Sequence, residues 1–124
     1  MILGIAGSRK LDAPLPDELM PPYIDRIISG GAKGIDRCAR NYASKKRIGM
    51  LEILPEYELY GKRAPLLRND WIIRLSDMMY IFWDGESRGS SYVIKKCIET
   101  NTPHKVFIYK DGKYEPMKEC PYEK

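Results

Sequence analysis

Two short segments of this chain have the residue types and spacing from which proteins build anion sites. The first is Ile27-Ile28-Ser29-Gly30-Gly31-Ala32-Lys33-Gly34-Ile35-Asp36, where an apolar run breaks into a glycine-rich turn and then into a helical pattern. Glycine admits backbone angles closed to other residues and lets a ligand approach the main chain. The helix that follows aims unpaired N–H groups and its positive dipole end at whatever binds. The second segment repeats the design: Met78-Met79-Tyr80-Ile81-Phe82-Trp83 runs into Asp84-Gly85-Glu86-Ser87-Arg88-Gly89-Ser90-Ser91. A third turn, Gly7-Ser8-Arg9, closes the first apolar run and sets an arginine where it can fork onto a phosphate. The ligand expected from these turns carries phosphate, gripped where two helix N-termini converge on one cleft.

Each side chain near the turns also has an ordinary reading. Arg9 is placed for phosphate or for a surface carboxylate. Asp36 is either a first-turn dipole partner or an acceptor that braces the loop or a ribose. Asp84 and Glu86 are either proton-transfer groups or organisers of their own loop, holding water or a cation. Lys33 is not the lysine of a nucleotide-hydrolysing P-loop, because a glycine followed by four residues and Gly-Lys-Ser/Thr is absent.

The positioning elements are legible from periodicity. Ile35, Cys38, Ala39, Tyr42 and Ala43 make one apolar stripe of a helix that ends in Lys45-Lys46-Arg47. Val93, Ile94, Cys97 and Ile98 make another, with Ser90 or Ser91 as its N-cap. Strands are expected at 1–6, 26–29, 50–54, 78–83 and 105–109, and a further helix over 65–76 with Leu67, Trp71, Ile72 and Leu75 inward. Trp71 reads as core, Trp83 as core and Tyr92 as a pocket-edge aromatic. Strand, crossover and strand, repeated, predict an α/β Rossmann-like sandwich with a mainly parallel five-stranded sheet in the order 3-2-1-4-5. Its switch point would lie beside the three turns. Asp111-Gly112 marks a tight hairpin turn, so residues 1–110 form the domain and 111–124 a tail with a possible short hairpin extension.

Composition narrows the classes. With 124 residues, 44% of them hydrophobic and 31% charged, the chain is a single soluble domain with no spanning or signal segment, expected in the cytoplasm. Three cysteines without Cys-x-x-Cys spacing and a single histidine predict free thiols, no metal and no histidine triad. The net charge, 21 minus 17 or +4, favours anionic partners without being a nucleic-acid signature. Ile72 and Ile73 are expected on an exposed helix face that pairs two copies into a homodimer.

Gly7-Ser8-Arg9, the run Ser29 to Asp36, Arg68-Asn69, and the run Asp77 to Ser91 together resemble the SLOG superfamily, particularly its small YspA-like and YpsA-like members. The resemblance spans most of residues 1–109. It implies a Rossmann-like fold and a nucleotide or nucleotide-derived ligand, with kinship to the DNA-processing protein DprA and to the Lonely Guy phosphoribohydrolases. By this resemblance Gly7, Ser8 and Arg9 form one pocket wall and Ser29, Gly30, Gly31 and Gly34 a second; Ala32, Lys33 and Asp36 of the same turn are also expected at the ligand. Arg68 and Asn69 lie over the pocket, and Gly89, Ser90 and Ser91 match the phosphate-gripping turn of the Lonely Guy enzymes, with serine in place of threonine; Asp84, Gly85 and Ser87 of the same loop are also expected at the ligand. The Lonely Guy pattern continues to a catalytic glutamate, where this chain has Val93, which can neither take nor give a proton. A binding or sensor protein is therefore the first expectation. The alternatives are a nucleotide hydrolase using Asp84, Glu86 or Glu56, and a DprA-like binder of single-stranded nucleic acid using Arg9, Lys33, Arg37 and the Lys45 to Arg47 run.

Overall fold

Apolar residues run without alternation through Ile2–Gly7 (β1) and Met78–Trp83 (β4), and both strands are buried on their two faces. They pair in parallel at the middle of the sheet, Leu3 opposite Met78 and Gly7 opposite Phe82. A computed structural model describes residues 1–118 and 120–122. Outward from β1 come Arg26–Ser29 (β2) and Gly49–Glu52 (β3), and outward from β4 come His104–Lys110 (β5) and Lys113–Pro116 (β6). The sheet order is 3-2-1-4-5-6, parallel except for the β5–β6 hairpin. The Rossmann-like α/β order expected for five strands is present, and β6 adds a sixth. Its turn falls at Asp111-Gly112, both at positive φ (52° and 81°), the geometry of a tight hairpin.

Among the described residues four α-helices, α1 (Ile35–Lys46), the single turn α2 (Tyr57–Tyr60), α3 (Ala64–Leu75) and α4 (Arg88–Glu99), and two short 3-10 turns, Asp17–Leu19 and Gly61–Arg63, complete the element list. Helix α1 covers one face of the sheet, burying Ile35, Cys38, Ala39 and Ala43 against Leu3, Ile5, Ile27, Phe82 and Phe107. Phe82 and Phe107 stack at 4.9 Å within that layer. The other face packs Ala6, Ile28, Ile81 and Trp83 against Ile72, Ile73, Val93, Ile94 and Cys97 of α3 and α4. Strand β6 contributes Tyr114, which is buried and donates its hydroxyl to the Ala13 carbonyl at 2.8 Å, tying the hairpin to the β1–β2 connection.

Three expectations are corrected. Trp71 is not core: it is 53% exposed, with the Arg74 guanidinium 5.5 Å from its ring centroid. Ile72 and Ile73 are buried, so they offer no surface for self-association. Both follow from Arg68, which is only 6% exposed and turns the inward face of α3 toward Ala64, Arg68, Ile72 and Ile73. Finally, α4 is capped neither by Ser90 nor by Ser91 but by Ser87, whose hydroxyl accepts from the Ser90 N–H. Among the described residues no helix is long and apolar enough to cross a membrane.

Candidate functional site

The β1 and β4 carboxyl ends are where the chain changes direction across the sheet, and a cleft of about 390 Å³ opens there between α3 and α4. That size suits a small organic ligand. Gly7 and Arg9 line it from the β1 turn, Gly30, Ala32 and Asp36 from the β2 turn, and Asp84, Ser87, Gly89 and Ser90 from the β4 turn. Arg68 and Asn69 reach it from α3. The three turns singled out in the sequence thus meet at one place.

Within the cleft the two glycine turns differ in what they leave free. The β2 turn is cross-braced from within. Asp36 Oδ2 accepts the Ala32 N–H at 3.1 Å, and Arg68 Nη1 donates to the Gly30 carbonyl at 2.5 Å and to the Ile53 carbonyl at 3.3 Å. The Ile35 N–H at the start of α1 is already given to the Ser8 carbonyl at 3.2 Å. Gly34, at φ 77°, backs onto the chain so tightly that a Cβ would stand 2.5 Å from the carbonyl oxygens of Ser8 and Arg9. Burial pushes the Asp36 carboxyl above its ordinary pKa, against the Ala32 N–H and the charge of Arg68. Burial likewise pulls the Arg68 guanidinium down, opposed by Asp36.

The β4 turn is braced from below and open above. Ser8 Oγ, fully buried, accepts the Asp84 N–H at 3.1 Å and bolts the β1 and β4 turns together. Asp84 Oδ1 accepts the N–H groups of Glu86 and Ser87 at 2.9 and 2.8 Å. Burial alone would raise the Asp84 carboxyl, but those two donors and the Ser8 hydroxyl outweigh it and hold the pKa below the usual value. Above this frame, α4 starts with Arg88 and Gly89, whose N–H groups have no partner within a helix. A Cβ at Gly89 would meet nothing within 4 Å. Ser90 is 2% exposed and lines the cleft, yet its Oγ has no hydrogen-bond partner. A buried hydroxyl left without a partner is costly, and Ser29 Oγ at the end of β2 is in the same state.

Seven expected residues lie outside the lining. Ser8, Gly31, Gly34 and Gly85 shape the turns from beneath or behind, with positive φ at the three glycines. Ser29 is fully buried with an unpartnered Oγ, Lys33 is exposed, and Ser91 gives its hydroxyl to Tyr122. Both turns reach the cleft, and each helix keeps part of its first turn open: at α1 the Ile35 N–H goes to Ser8 while Asp36 and Arg37 follow it, and at α4 Arg88 and Gly89 precede the capped Ser90. The cleft also includes residues not named as ligand contacts from the sequence: Ile5, Ala6, Lys10, Pro65, Leu66, Ile72, Glu86 and Val93. Lys10 was legible beside Arg9. Pro65 and Leu66, the first turn of α3, carried no signal beyond proline at a helix start. Among the described residues no group of three or more His, Cys, Asp or Glu is placed to hold a metal.

No protein-family model matches this chain, and no solved structure matches it. Among curated proteins, the Gene 61 protein of Mycobacterium phage D29 is 31% identical over 96 residues, spanning 72% of this chain and 77% of the phage protein. With that identity over that share of both chains, the protein belongs to the family of the phage D29 Gene 61 protein.

Proposed function

We propose that the cleft binds a nucleotide, or a nucleotide-derived small molecule, by its phosphate and retains it as a binding or sensor protein. The observation that carries this reading is Ser90. Its hydroxyl is buried, unpartnered and set in the first turn of α4, where the helix presents its own unpaired N–H groups. Arg9 and Lys10 add positive charge to the same cleft, and Pro65, Leu66, Ile72 and Val93 give it an apolar wall for the rest of the ligand. The SLOG resemblance leads to the same ligand class. Retention rather than turnover is favoured because Val93 lines the cleft where that resemblance puts the Lonely Guy glutamate, and because Asp84 is engaged by two backbone donors. In keeping with the free thiols Cys38, Cys97 and Cys120, we assign the protein to the cytoplasm.

Native mass spectrometry of protein purified from cells tests the reading. A nucleotide-sized mass travelling with the polypeptide is the expected result; a bare polypeptide that also ignores a panel of added nucleotides overturns it. Glu86 lines the cleft and keeps a second, hydrolytic reading alive. It predicts turnover of a nucleoside monophosphate panel that disappears in Glu86→Gln. Binding of single-stranded nucleic acid predicts an affinity that falls steeply with salt. Lys46, central to that reading, pairs with Asp17 at 2.9 Å, about 15 Å along α1 from Asp36.

A further inference from the structure

The Ser91 hydroxyl, next to the unpartnered Ser90, is drawn out of the cleft and donates to the phenol oxygen of Tyr122 at 2.7 Å. The same tyrosine ring lies 6.1 Å from the Trp83 ring, and Lys95 Nζ stands 4.6 Å from its centroid. Trp83 in turn gives its indole N–H to the Ser87 carbonyl at 3.1 Å, the oxygen that also accepts the Ser91 N–H. A residue from the end of the chain, 31 positions beyond Ser91, therefore grips the start of α4 twice. One grip is direct, at Ser91; the other runs through Trp83 to the N-cap.

We infer that Tyr122 is a positioning residue for the anion site: it straps the first turn of α4 so that Ser90 and the free N–H groups of Arg88 and Gly89 hold one geometry. The first turn of a helix lacks half of its backbone hydrogen bonds and opens before the rest. A ligand that must order this turn as it binds loses affinity by that cost, whereas a turn already held does not. The strap also assigns Ser91 its role, since a hydroxyl committed to Tyr122 leaves Ser90 as the donor for the ligand. What the turn binds rests on the function proposed above; the strap itself does not.

Amide hydrogen exchange in the ligand-free, full-length protein tests the strap directly. Tyr122→Ala should speed exchange at Ser90 and Ser91 by about tenfold while Ile5 and Ile81 stay protected. Tyr122→Phe keeps the ring against Trp83 and Lys95, and should bring exchange back to within about threefold of wild type. Adenosine monophosphate, titrated calorimetrically, should bind Tyr122→Ala about five- to tenfold more weakly than wild type, with the urea midpoint of unfolding little changed. Unaltered exchange at Ser90 and Ser91 in Tyr122→Ala overturns the proposal, and so does faster exchange with unaltered affinity. If the wild type itself ignores the nucleotide, the proposed function fails and the exchange rates still decide the strap.

Discussion

The glycine turn after β2 and the one after β4 begin from similar parts: an apolar strand, glycines, an acidic residue and an amphipathic helix. They differ in where their polar groups go. After β2, Asp36 takes the Ala32 N–H, Arg68 takes the Gly30 carbonyl and Ser8 takes the first N–H of α1, so the turn is clamped from within although Ser29 Oγ stays unpartnered. After β4, Asp84 braces the loop from inside and leaves the first turn of α4 facing the cleft with Ser90 unpartnered. Similar glycine-rich strand-to-helix motifs thus end in different internal bonding.

Damage to the first turn should cost stability, and damage to the second should cost binding. The largest effect is expected for Arg68→Leu, which leaves the Gly30 and Ile53 carbonyls without their donor and the half-buried Asp36 carboxyl without its counter-charge. Urea denaturation should show a loss of about 2–4 kcal/mol. Stability near that of wild type would mean that the β2 turn does not depend on its clamp. Ser90→Ala should do the reverse. It removes a buried hydroxyl with no partner, so the fold holds or gains about 1 kcal/mol, while affinity for adenosine monophosphate drops about tenfold or more. Loss of stability with unchanged affinity would reverse the roles assigned to the two turns.

The two carboxylates sharpen the comparison through pH. Asp36 has its folded pKa raised from 3.8, so it binds its proton more tightly in the folded state. Its contribution is greatest below that value and is lost as pH rises through the folded pKa. Asp84 has its folded pKa lowered from 3.8, so its contribution is present above that value and is lost as pH falls through the depressed one. Urea midpoints between about pH 3 and pH 8 should therefore show the wild-type advantage over Asp84→Asn growing as pH rises from the acid end, and that over Asp36→Asn shrinking. Parallel curves for the two variants would contradict the opposite environments. The smallest effect is expected for Trp71→Ala, remote from both turns: because the ring is half-exposed, with the Arg74 guanidinium over it, unfolding should move by less than about 1 kcal/mol.

The fold was legible because its signals are local. Continuous apolar runs gave β1 and β4, the stripes of α1 and α4 gave their inward faces, and Asp111-Gly112 gave the hairpin. What escaped depends on partners far away in sequence. Arg68 takes a buried place in α3 because a carbonyl 38 residues earlier accepts from it, and that displaces Trp71 to the surface. Three serines in five residues each qualify as a cap, and only the loop geometry set by Asp84 selects Ser87. The clamps on the β2 turn were likewise hidden, since Ser8 and Arg68 lie outside the glycine motif that they brace.

The most direct test is a titration of isotopically labelled protein with adenosine monophosphate, followed at each backbone amide. Saturable shifts centred on Gly89 and Ser90, with the Ile35 amide, already bound to Ser8, changing far less, are predicted. Shifts centred on the Lys45 to Arg47 run, or no saturable shift at Ser90, would contradict the account.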